Sequence, residues 1–172
     1  MDSGLAALLG AAIGSVATLG AAVANGRAQA RSQHAQESRR HRRDAYARYL
    51  GALHDRDLAM DAVLAALRAD HPDPAVIDEL TDRFVALARE VHRCCEVVIL
   101  EGPASVAAVA ERVTNASADL SYVMRRMAED TRAGDTTRRA ADSALATERE
   151  RALYDTVKEF RLAARAAIGQ TA

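Results

Sequence analysis

Apolar side chains recur at alternating steps of three and four along four stretches of the chain. Ile77, Leu80, Phe84, Leu87, Val91, Cys94 and Val98 form one unbroken series, and Val106, Val109, Val113, Ala116, Leu120, Val123 and Met127 form another. Such steps keep every member on one face of a helix, and a stripe this narrow is the seam of a helical bundle. A third series runs through Tyr46, Leu50, Leu53, Met60, Leu64 and Leu67, interrupted at Asp57. A fourth runs through Ala141, Leu145, Ala152, Val157, Phe160, Ala164 and Ala167.

Three breaks separate these series. In His71-Pro72-Asp73-Pro74, Pro72 cannot continue a helix, Asp73 can cap the next one and Pro74 suits its first position. Gly102-Pro103 reads as a helix stop. In Gly134-Asp135-Thr136-Thr137, the glycine suits a left-handed cap, and Asp135 or Thr136 can begin the following helix. The spacing predicts helices over 44–70, 74–101, 103–133 and 136–168, with only Gly51 inside a segment. Connections this short make sequential helices antiparallel neighbours, so 44–172 is expected to be an up-down-up-down four-helix bundle with coiled-coil-like seams. A chain of that length can bury roughly two-thirds of its unfolded surface around one core. Ala-rich seams bring the helices close together but bury fewer methylenes, at ~0.8 kcal/mol each.

Ahead of the bundle the periodicity disappears. Residues 4–24 contain no charge, and 21 residues of helix are ~31 Å long, the thickness of a bilayer's hydrocarbon. The next 17 residues, 27–43, hold six arginines, two histidines and one acid. The expected architecture is therefore all-α: a single transmembrane helix at 4–24, a basic helical stalk at 25–43, and the bundle at 44–172. Only the amino terminus and Asp2 precede the span, so the positive-inside rule puts the short N-terminus outside and the bundle in the cytoplasm. Ala22-Val23-Ala24 before Asn25 would suit signal cleavage, but no basic residue precedes the core and the core exceeds the ~7–15 residues of a signal peptide.

Within the span, Ala6, Gly10, Gly14, Thr18 and Ala22 recur every four residues and make one face small. Apolar helices gain nothing hydrophobic by pairing in lipid, so close approach over small residues is what lets them associate. These five residues are the candidate self-association face of a homo-oligomer; a simple Ala-rich tether would carry the same composition. Arg27, Arg31, Arg39, Arg40, Arg42 and Arg43 are the candidate contacts to anionic headgroups, worth ~1 kcal/mol each near the surface.

Charge separates the two regions further. Residues 44–172 carry 17 basic against 22 acidic side chains, so a net-negative bundle follows a positive stalk. The stalk lacks aromatics to stack bases, and nucleic acid is not expected as a partner. The layout resembles that of the membrane-anchored b subunit of ATP synthase, an N-terminal span followed by a long Ala-, Arg- and Glu-rich helix. That resemblance ends at residue 71, where proline-containing breaks fold this chain back instead of extending one dimeric rod.

Candidate chemistry is sparse. Cys94 and Cys95 are adjacent, a spacing that strains a mutual disulfide, and no second pair completes a four-thiolate metal site. Both are read as small apolar residues. His92 and Glu96 lie four apart, and His54, Asp57 and Asp61 share one side of the first bundle helix. The paired Glu-x-x-His motifs of di-iron bundles are missing, and salt bridges to neighbouring arginines account for the same residues. No nucleophile elbow or phosphate-binding glycine loop occurs, and Asn115-Ala116-Ser117 falls on a core stripe. No catalytic, cofactor-binding or metal residues are assigned. The expected role is a non-enzymatic binding or scaffold module for a protein partner at the cytoplasmic face. An oligomerising pore-type effector and a small-ligand sensor bundle are the alternatives.

Overall fold

A computed structural model describes the backbone of residues 3–169 and the side chains of residues 25–27 and 29–169. The chain forms four helices: α1 (Ser3–Arg68), α2 (Pro74–Glu101), α3 (Ala104–Ala133) and α4 (Arg139–Gly169). It divides into two compact units, Met1–Arg40 and His41–Ala172. The first is helical wherever its backbone is described, and the second is the bundle.

The helix ends follow from local chemistry. Asp73 accepts a hydrogen bond from the Ala75 amide at 2.9 Å, and Pro74 opens α2. Gly134 closes α3 with φ of 67°, a left-handed conformation that costs glycine no Cβ clash. The following amide, that of Asp135, reaches back to Asp130 O at 2.9 Å. Helix α4 begins at Arg139 instead of the expected 136. Asp135 draws the Thr137 amide to 2.8 Å and also accepts from the Thr137 hydroxyl, which holds this stretch in a turn. Gly102 has an ordinary φ of −89° and is required for another reason. A Cβ there would lie 2.7 Å from Val98 O and 3.0 Å from the Tyr46 hydroxyl.

Cross-helix bonds fix the topology. The C-terminal part of α1 runs parallel to α3, because Tyr49 pairs with Ala110 and Arg56 with Ser117. It runs antiparallel to α4, with Tyr49 against Phe160 and Arg68 against Glu150. Helices α2 and α3 are antiparallel through Cys95 with Thr114 and Asp78 with Arg132. Helices α3 and α4 are antiparallel through Arg112 with Glu159 and Arg126 with Asp142. The result is the expected all-α, up-down-up-down bundle.

Its core is built by the predicted seams with shifts in each helix: in α1, Tyr49, Ala52 and Val63 are buried while Leu50 and Leu53 flank the core, and in α2 Cys95 is buried in place of Cys94. Tyr46 and Tyr49 are buried edge-on against Phe160, at centroid distances of 6.1 and 5.0 Å. Each edge-to-face pair adds ~0.5–1.5 kcal/mol beyond the area it buries. Helix α3 buries Ala110, Ser117, Met124 and Ala128 beside its expected stripe, since it touches three other helices. The first half of α4 is rotated by one position: Asp142, Ala146 and Leu153 are buried where Ala141, Leu145 and Ala152 were expected. The buried carboxylate of Asp142, paired with Arg126, explains the shift, because a charged residue hides a core position from a hydrophobic pattern.

Among the described residues no helix is long and apolar enough to cross a membrane. The side chains of the 4–24 segment, including the candidate face Ala6, Gly10, Gly14, Thr18 and Ala22, lie outside the described residues.

Candidate functional site

Two regions concentrate positive charge for different reasons. On the stalk, Arg27, Arg31, Arg39, Arg40 and Arg43 project from α1 with exposed side chains, and Arg42 is half-buried. Arg39 Nε donates to Ala35 O at 3.3 Å, four residues back along the same helix. Exposed guanidinium groups can meet phosphate oxygens without desolvation of a protein interior. Five of the six candidate headgroup contacts are therefore accessible.

Inside the bundle, Arg56 was hidden from sequence reading. It stands next to Asp57, the residue that breaks the α1 stripe, and a charged pair at a break reads as a solvated face. The fold instead turns Arg56 inward. One terminal nitrogen donates to Ser117 Oγ and the other to Ser121 Oγ at 3.1 Å, and the guanidinium lies 4.4 Å above the centre of the Phe84 ring. The Ser121 hydroxyl in turn donates to Ser117 O at 2.7 Å. Ser117 and Ser121, four apart on the inner side of α3, were the sequence signal for a polar partner in this core. Arg56 makes no ion pair with the described residues, and its buried Nε has no acceptor. Burial weakens the guanidinium's hold on its proton, while Tyr49 opposes that shift.

The acids of α1 lie on another side. Asp57 and Asp61 lie near Glu150 and Tyr154 of α4, and Arg68, further along α1, is the cation that acts on Asp61. Burial, then Asp57 and Glu150, raises the Asp61 carboxyl above its usual range, against Arg68. Burial and the same acids push the Tyr154 phenol up. His54, Arg56, Asp57, Tyr154 and Arg161 share a small apolar-walled cleft of about 50 Å³ with Leu153 and Val157.

The cysteines diverge. Cys95 is buried with its sulfur 3.6 Å from Thr114 Oγ1, whereas Cys94, the predicted stripe member, is half-buried against the core. The Cys94 thiol donates to Glu90 at 3.5 Å, and burial together with that carboxylate raises its pKa. A raised thiol pKa lowers the thiolate fraction and with it the nucleophile. His92 Nε2 lies 3.9 Å from Glu96 Oε1 on the exposed face of α2. Among the described residues no three His, Cys, Asp or Glu side chains gather so as to hold a metal ion.

A wider cavity lies between α1, α2 and α3. It measures about 170 Å³ and is lined by Arg56, Thr81, Ser121 and Arg125 with Val63, Phe84, Val85, Ala88 and Met124. Compared with known proteins, the chain matches no family model, no curated protein and no solved structure.

Proposed function

We propose that this protein is a single-pass membrane-anchored binding or scaffold module whose helical bundle engages a protein partner at the cytoplasmic face. The observation that carries this reading is the junction at residues 4–43, an uncharged run of bilayer length followed by six arginines and a single acid. The exposure of five of those arginines supports it, because headgroup contact requires guanidinium groups that are free of the protein core. A net-negative bundle adds to it, since repulsion from anionic lipid disfavours collapse of the bundle onto the membrane surface.

Protease protection of the full-length chain tests the arrangement. In inside-out membrane vesicles the bundle is digested by added protease, and in right-side-out vesicles it survives until detergent is added. Digestion in the right-side-out vesicles alone would reverse the assigned orientation. Proximity labelling from the C-terminus in native membranes tests the scaffold role. An enriched neighbour, lost when residues 44–172 are deleted, is expected; equal labelling with and without the bundle would refute the role.

A further inference from the structure

The cavity between α1, α2 and α3 combines a guanidinium that has no anionic partner among the described residues, only the Phe84 ring and two serine hydroxyls, with largely apolar walls. Arg56 enters it from α1, Thr81 from α2, and Ser121 and Arg125 from α3, and no carboxylate lines it. Arg56 satisfies its terminal nitrogens on neutral serine hydroxyls, which orient the guanidinium but do not cancel its charge. Its Nε and the Thr81 hydroxyl are both buried without hydrogen-bond partners. Arg125 is exposed and makes no ion pair with the described residues. Buried polar groups in native folds are rarely left unsatisfied, and buried charges are normally paired. Two orphaned buried donors beside a part-buried guanidinium, with the exposed Arg125 on the same lining, favour an anion at this cavity.

Water answers only part of this requirement. A water molecule could accept from Arg56 Nε, but it would add no negative charge beside a guanidinium that only the Phe84 ring and serine hydroxyls now meet. A carboxylate supplies acceptors and charge together, and guanidinium groups bind that planar anion in a fork geometry. The walls ask for a second part. An apolar cavity of ~150 Å³ accepts a benzene-sized molecule, and this one measures about 170 Å³.

We infer that this cavity is a binding site for a small monocarboxylate with a compact apolar body, of the size of benzoate. The carboxylate meets Arg56 Nε, the Thr81 hydroxyl and Arg125, and the body fills the space walled by Phe84, Val85, Ala88 and Met124. The inference concerns the bundle alone and stands whether or not the chain is anchored in a membrane.

Titration of the full-length chain in a non-ionic detergent with benzoate, followed by calorimetry, tests the site. Benzoate is expected to bind saturably, and benzamide, the same shape without charge, roughly tenfold or more weakly, the scale of one charge-assisted hydrogen bond. Inorganic phosphate at equal concentration should not displace benzoate. Thr81→Val and Arg125→Gln, both tolerable to the fold, should each weaken benzoate several-fold. Ala88→Phe, with helix content checked by circular dichroism, should abolish binding by filling the cavity. No saturable binding of benzoate to the unaltered chain would overturn the site. Equal affinity for benzamide, or full displacement by phosphate, would overturn the recognition of charge or of the apolar body.

Discussion

Asp142 and Asp78 each accept hydrogen bonds from an arginine of α3, yet their surroundings differ. The Asp142 side chain is 5% exposed and its partner Arg126 26%; Asp78 and Arg132 are 49% and 46% exposed. Removing one member of a buried pair strands the other charge, whereas an exposed pair exchanges its partner for water. Asp142→Asn should lower the denaturation midpoint clearly, and Asp78→Asn should leave it nearly unchanged in the same urea titration. Asp61 offers a test by pH. Burial and the nearby Asp57 and Glu150 raise its folded pKa above the ordinary value of 3.8, so the fold binds that proton more tightly than the unfolded chain does. This group's contribution to stability therefore falls as pH rises from below 3.8 through the raised value, and the deficit persists at neutral pH. Asp61→Asn should raise the thermal midpoint at neutral pH, and the gain should vanish in acid. At this scale sequence was least informative. Arg56 and Asp142 occupy the interior because serine hydroxyls or an arginine meet them from α3, at least 16 residues away along the chain. A linear pattern scores such residues as solvent-facing.

Helices, by contrast, could be read before their packing was known. Asp73 and Pro74 start α2, and Gly134 ends α3 in the left-handed conformation, as the local residues dictate. The boundary at α4 moved by three residues because Asp135 stabilises a turn, a choice that side-chain acceptors make against helix initiation. Two glycines separate propensity from packing. Gly51 is exposed within α1 and a Cβ there would meet nothing, so Gly51→Ala should stabilise by about 0.5–1 kcal/mol. Gly102 has a φ open to any residue, yet a Cβ would collide with Val98 O and crowd the Tyr46 hydroxyl. Gly102→Ala should therefore destabilise by about 1–3 kcal/mol despite its better intrinsic propensity. Urea unfolding of the two variants checks both signs at once.

For the whole molecule, the antiparallel order of the bundle was legible because three short breaks leave little choice of topology. The interhelical cavity was not, since its walls come from three helices and its polar residues share no motif. Five of the six candidate lipid contacts are accessible on α1, while the small face of the 4–24 segment rests on its sequence alone. Anchoring by that uncharged segment underlies the proposed location and role, and it can be checked by a carbonate wash of membranes from cells making the full-length chain. Alkaline carbonate strips proteins held by charge but leaves inserted helices in the pellet. The intact, unprocessed chain is expected in the pellet after ultracentrifugation, and its release into the supernatant would mean that the 4–24 segment does not insert.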